Sequence, residues 1–219
     1  MKERNLIISR SELEILMEKI PRHTKKRLKG MAMNDCGHAI ELRVGGRSIQ
    51  HRAYTAWAGM FRRCYEESYQ ARNPTYFGCS VADEWMRLST FKRWWDKNYV
   101  EGYSLDKDLL VPGNKVYSPN KCVYIPQKLN LFTIDSSAVR GEFPIGVSFC
   151  KPKGKYQSSI KNGDGKLITL GYTDDPIEAH KLWFDKKMEI AKGYKQLCDG
   201  IHPRLFDGVI KKIEMLKEF

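Results

Sequence analysis

The residues of this chain best suited to chemistry lie between Tyr103 and Asn130, where Asp106, Asp108, Asn114 and Asn130 stand among turn and strand residues. The pattern predicts a strand at 103–109, an irregular loop with Pro112-Gly113 and Ser118-Pro119, a strand at 122–125, and a short helix starting near Pro126. A hairpin followed by a helix can bring Asp106 or Asp108 near Asn114 and Asn130. Carboxylate and amide oxygens are hard ligands that suit Mg2+ or Mn2+. A metal held by Asp106, Asp108 and Asn130 could stabilise the charge that develops in phosphodiester hydrolysis. The bland alternative is that Asp106, Asp108 and Asn114 secure the loop through turn hydrogen bonds. An aspartate of ordinary pKa is a poor base for water. No histidine occurs between His51 and His180, so His51 is the candidate base if it arrives from elsewhere in the fold.

The elements before this stretch read more plainly. From Ile49 to Glu67, Tyr54, Trp57, Phe61, Cys64 and Tyr65 recur at intervals of three and four, which predicts a helix with its rings in a core. Arg62 and Arg63 interleave with them and are candidate phosphate contacts. A second helix is expected over Leu88–Asp96, and Trp85, Trp94 and Trp95 imply a buried aromatic cluster. Upstream, Ser11–Glu14 reads as a capping box ahead of the stripe Leu13, Leu16, Met17 and Ile20. The basic run Arg22–Lys29 reads as phosphate contact or as a solvated helix face. Cys36 and His38 are too isolated to claim a metal. Gly45-Gly46 marks a turn between two strand-like pieces.

From Pro144 to Lys187 the chain shows three strand-like runs, Ile145–Lys151, Tyr156–Lys161 and Lys166–Tyr172, and then a helix. Lys-Pro-Lys-Gly and Asn-Gly-Asp-Gly separate the runs, so hairpins are expected. Period two collects Val147, Phe149, Tyr156, Ser158, Ile160, Ile168 and Leu170 on one face. The other face holds Ser148, Cys150, Gln157, Ser159, Lys161, Leu167 and Thr169. Asp175, Pro176 and Glu178 suit the cap, first position and capping-box acid of the helix, whose apolar side then covers the first face.

Bulk properties bound the function. A formal charge of +12 over 219 residues favours a polyanionic partner through counterion release. The six cysteines form no finger spacing and look like reduced thiols of a cytosolic protein. No signal-peptide pattern or apolar run of membrane-spanning length is present, so neither export nor a membrane partner is expected.

Gly146-Val147-Ser148, Lys155-Tyr156 before Ile160, Leu170-Gly171-Tyr172 and Glu178-Ala179 run in order through the last-described stretch. On these residues it resembles the DNA-binding domain of the plant ethylene-response factors, which also occurs in phage and mobile-element endonucleases. The resemblance implies double-stranded DNA as partner and the outer sheet face as the surface that enters the major groove. The candidate contacts here are Ser148, Gln157, Ser159, Lys161 and Thr169 for the groove, with Lys153 and Lys155 for phosphates. The face lacks the arginines and tryptophans that lead in that family.

A second resemblance covers 50–130. It rests on His51, Tyr54, Trp57, Met60, Arg63-Cys64-Tyr65, Tyr76-Phe77-Gly78, Asp83-Glu84-Trp85, Phe91, Leu105–Asp108, Tyr117-Ser118-Pro119, Cys122 and Asn130. In that order the segment is similar to a phage family related to the HNH endonucleases, whose strand-end histidine is replaced here by Asp106-Lys107-Asp108. Together the two imply an α+β protein with an N-terminal region at 1–50 and a ββα HNH-like module with flanking helices at 51–132. A linker would follow at 133–142, then a three-stranded antiparallel sheet packed on one helix at 143–195, and a C-terminal helix at 196–219. The expected function is a cytoplasmic DNA-binding protein, in a host cell if phage-encoded. It would be either a metal-dependent endonuclease or an inactive scaffold, and a protein that blocks a host protein is the remaining alternative.

Overall fold

Ser9, not Ser11, starts the first helix, α1 (Arg10–Lys19): its hydroxyl accepts from Glu12 N–H at 3.3 Å, and the Glu12 carboxylate accepts from Ser9 N–H at 2.7 Å. Two Ser-x-x-Glu frames overlap in this stretch. The second is emptied because Glu14 instead accepts from the Arg52 backbone N–H at 2.7 Å and from its Nε at 2.9 Å. The computed structural model describes residues 8–134, 141–162 and 165–219. The chain divides into a first unit running to Glu101 and including Asn114–Cys122, and a second unit of Gly102–Gly113 and Val123–Phe219. The linker expected at 133–142 lies mostly outside the described residues.

In the first unit the basic run 22–29 is not a helix face. It turns into the antiparallel pair β1 (Lys26–Leu28) and β2 (Ala32–Asn34), with Lys29 and Gly30 both at positive φ in the turn. β3 (Glu41–Val44) and β4 (Arg47–Gln50) form the hairpin expected at Gly45-Gly46, both glycines having positive φ. The aromatic helix is α2 (Arg52–Tyr65), followed by the short α3 (Glu67–Arg72) and β5 (Ser80–Val81). Next comes α4 (Leu88–Asn98). Trp57, Phe61, Trp85 and Phe91 are fully buried, with Trp57 Nε1 donating to Trp85 O at 2.7 Å. The expected aromatic cluster is therefore present, with the Trp85 ring 4.9 Å from Trp94 and 5.1 Å from Phe91.

The chain leaves this unit for β6 (Tyr103–Asp106), shorter than the expected 103–109, and returns for β7 (Val116–Tyr117), which pairs in parallel with β5. β6 stops because the Asp106 carboxylate accepts from the N–H groups of Asp108 and Leu109 at 2.8 and 2.7 Å, folding the chain into a turn. Back in the second unit, β8 (Val123–Pro126) pairs antiparallel with β6, and α5 (Gln127–Phe132) follows directly, giving the strand–strand–helix order expected.

The rest of the second unit is the three-stranded antiparallel sheet β9 (Val147–Cys150), β10 (Lys155–Lys161) and β11 (Leu167–Thr173), with β10 central, and then α6 (Pro176–Gly193). Asp175 caps α6 by accepting from Ile177 N–H at 2.9 Å, while Glu178 pairs with Lys181 at 2.6 Å instead of closing a box. The region 196–219, expected as one C-terminal helix, is two helices parted at His202-Pro203, with no break at Asp199-Gly200. α7 (Lys195–Ile201) runs through that dipeptide, and α8 (Leu205–Glu214) ends before the expected Phe219. α8 buries Leu205, Val209 and Ile213 against Leu109, Ile125 and Leu129. No helix among the described residues is long and apolar enough to cross a membrane.

Lys187, on the buried side of α6, donates to the Phe132 carbonyl at the end of α5 at 2.6 Å and lies 3.8 Å from the Phe132 ring centroid. Burial pulls its ammonium down to about 8. An unfolded lysine holds its proton to about 10.4. Between those values the unfolded chain binds more protons than the folded one, so the Lys187 contribution to stability rises with pH, by on the order of 3 kcal/mol in total. Lys187→Met should remove that rise. Urea unfolding of both forms at pH 7 and pH 9.5 would show it as a difference between the two that shrinks at the higher pH.

Candidate nucleic-acid interface

One face of the three-stranded sheet is closed by α6 and the other is open. Ser158 and Ile160 are buried on the helix side, with Ala179 and Trp183 of α6 also buried. On the open side the strands align Ser148, Gln157 and Tyr172 as a row across β9, β10 and β11, with Ser159 opposite Thr169 beside it. Gln157 Nε2 donates to Thr169 Oγ1 at 2.9 Å, tying the two rows together. Lys161 and Thr169 are exposed, and Ser148 is exposed at the edge.

Tyr172 is the residue that period-two reading misses. The β10–β11 register shifts between Ser158 and Ser159, leaving Leu170 as the extra residue of a bulge. Beyond the bulge Gly171 stands opposite Ser158 on the helix side and Tyr172 opposite Gln157 on the open side. A glycine inside a strand pattern was the available signal. The Lys153 ammonium sits 3.5 Å from the centroid of the Tyr172 ring. That geometry holds a cation and an aromatic face together at the edge of the open surface.

The remaining cations differ in availability. Lys155 pairs with the exposed Asp174 at 3.1 Å, an exchangeable surface contact. In the first unit Arg62 is exposed and packs on the Tyr69 ring. Arg63 is committed to the fold, because its Nε donates to Tyr117 Oη at 2.8 Å and its guanidinium lies over the Tyr117 and Tyr76 rings.

The carboxylates also have structural work. Asp106 and Asp108 are brought together, but the Asp106 carboxylate is nearly buried and turned onto the two backbone N–H groups of its own turn. Burial and the neighbouring Asp108 charge push the Asp106 carboxyl up. Burial would push Asp108 up too, but Lys212 and Lys107 hold it below the usual carboxylate range. Lys212 Nζ lies 3.0 Å from one Asp108 oxygen and Lys107 Nζ 3.7 Å from the other. A hard dication needs such oxygens free, so these two residues do not fit the expected Mg2+ or Mn2+ site. Asn130 lies on α5 of the same unit. Asn114, expected beside them, belongs to the first unit, where its Nδ2 donates to Val116 O at 2.7 Å. Among the described residues, no group of three or more His, Cys, Asp or Glu could hold a metal ion.

His51 proves to be the N-cap of α2. Its Nδ1 accepts from Ala53 N–H at 3.1 Å and its Nε2 faces Glu18 at 3.2 Å, so the proton sits on Nε2 in the neutral ring. Burial pulls the imidazole below its ordinary value, against the opposing pull of Glu14 and Glu18. With Nδ1 engaged and the ring 2% exposed, the expected role as a base for water has no open nitrogen to act through. Comparison of the chain with known family models, curated proteins and solved structures finds no match.

Proposed function

We propose that this protein binds double-stranded DNA through the open face of the β9–β11 sheet and does so without cleaving it. The observation that carries the reading is the Tyr172–Lys153 pair beside the polar residues Ser148, Gln157, Ser159 and Thr169, on a sheet whose opposite face packs on α6. The major groove admits a β-ribbon, which suits the open strands of this sheet. Lys153, Lys155 and Lys161 supply phosphate contacts, and Gln157, Ser159 and Thr169 supply side-chain donors and acceptors for base edges. The overall charge of +12 favours the same partner. The non-catalytic half of the reading is supported by Asp106 and Asp108 being bound to backbone N–H groups and lysines, and by His51 being spent as a cap.

Fluorescence anisotropy with a 20-base-pair duplex tests the binding. Lys153→Ala/Lys161→Ala should weaken it about tenfold or more at low salt and flatten the plot of log affinity against log salt by about two. Tyr172→Ala should weaken it further. Unchanged affinity in the lysine pair would remove the sheet from the interface. On the non-catalytic half, supercoiled plasmid incubated with Mg2+ or Mn2+ should stay supercoiled, and nicking that Asp106→Ala/Asp108→Ala abolishes would contradict it.

A further inference from the structure

Away from the sheet, the β1–β2 hairpin, the start of β3 and α2 enclose a cleft of about 380 Å³ in the first unit. Its wall carries three cationic side chains, Arg22, Lys26 and Arg27, against one carboxylate, Glu41, with Asn34, Tyr54 and three apolar residues completing it. The Glu41 carboxylate already accepts from the Ser48 hydroxyl, and Arg27 Nη1 donates to Gly30 O at 3.1 Å. Arg22 Nη1 differs from both: it is shut away from solvent and has no acceptor. A buried guanidinium nitrogen without a partner is costly, and native structures leave few of them. An anion in the cleft would offset the excess of positive charge on the wall, and a turn of the Arg22 side chain toward it would give Nη1 the acceptor it lacks.

We propose that this cleft binds a phosphomonoester of nucleotide size. Arg22, Lys26 and Arg27 hold the phosphate and the Tyr54 ring flanks the base. The volume lies in the range of small-ligand pockets and exceeds what a bare oxyanion fills. An aromatic ring beside a phosphate clamp gives a base a face to stack on. Two sources carry the same chemistry, a free nucleotide and the 5′-phosphorylated end of a strand. The site stands independently of the sheet, since it lies in the other unit and uses none of the same residues.

The test is calorimetry on the full chain at fixed ionic strength with deoxyadenosine monophosphate, deoxyadenosine, and a single-stranded dodecamer carrying either a 5′-phosphate or a 5′-hydroxyl. The monophosphate should bind and the nucleoside should not. Arg22→Gln should abolish binding, and Lys26→Ala/Arg27→Ala should weaken it by at least about tenfold. The latter pair is exposed and decides the matter even if Arg22→Gln fails to fold. A phosphorylated dodecamer that binds more tightly than the free nucleotide, with the hydroxyl form silent, assigns the strand end as source. Equal or weaker binding assigns the free nucleotide. Equal binding of nucleoside and monophosphate, or a lysine–arginine pair variant that binds like the wild type, would overturn the proposal.

Discussion

Gly208→Ala should destabilise the second unit more than any other single-methyl change in it. A Cβ at Gly208 would stand 1.6 Å from the Leu109 carbonyl oxygen and 2.8 Å from its carbon. Backbone cannot rotate aside as a side chain can, so α8 would have to lift off the turn that follows β6. That lift would loosen Leu205, Val209 and Ile213 from Leu109, Ile125 and Leu129, all of them fully buried. The expected loss is about 3–5 kcal/mol, at the upper end for overpacking because the obstacle is main chain. Gly200→Ala in α7 is the control: nothing lies within 4 Å of its Cβ. In a helix that change should be neutral or stabilising by up to about 1 kcal/mol. Urea unfolding of the three proteins, followed by circular dichroism, measures the contrast.

The second large effect is expected at Gly146→Ala. Gly146 has φ +84°, and a Cβ there would fall 2.0 Å from Trp183 Cδ1 and 2.2 Å from its Cγ. The ring cannot step away easily, since Trp183 is buried and stacks on the fully buried His180 with centroids 5.4 Å apart. His180 is fixed in turn by Nδ1 at 2.9 Å from Ile145 O and by Nε2, which accepts from Glu218 N–H at 3.1 Å. Backbone strain of about 1–2 kcal/mol adds to the clash, and the total should reach about 3–4 kcal/mol. Gly154→Ala separates the two causes. It shares the positive φ, at +62°, but meets nothing within 4 Å, so only the strain should register. Because Gly146 seats β9 on α6, Gly146→Ala should also weaken duplex binding, whereas Gly154→Ala should weaken it far less.

Much of this fold is legible wherever the signal is local. Gly45-Gly46 demands positive φ at two successive residues and so announces the β3–β4 hairpin. Asp175-Pro176 marks the start of α6 to the residue. Spacing by three and four puts Trp57, Phe61 and Cys64 in the core. Several misreadings involve a partner distant in sequence or a shift of one residue. Ser9 and Ser11 offer equivalent capping frames, and Arg52, far along the chain, decides between them by taking Glu14. Asp199-Gly200 looks like a helix stop, but Cys198 of α7 is buried in the core of the second unit, and that packing outweighs the glycine's cost.

The candidate site shows the same division. The open polar face of the sheet follows from alternation, but Tyr172 joins it only because the bulge at Leu170 reverses the remaining residues of β11. Asp106 and Asp108 look like hard ligands because sequence gives residue types without their partners. Lys212, which neutralises Asp108, comes from α8 at the opposite end of the second unit's sequence. His51 could be read as a base for the same reason, until its Nδ1 is seen to accept from Ala53 N–H.

The most direct test of the sheet as a DNA surface is amide chemical-shift mapping by nuclear magnetic resonance, with an unlabelled duplex titrated into the labelled protein. The expected result is a set of perturbed amides centred on Ser148, Gln157, Ser159, Thr169 and Tyr172, fading as salt rises, with the β6–β8 hairpin unaffected. Perturbations that spare β9–β11 and gather elsewhere, or no perturbation at low salt, would contradict it.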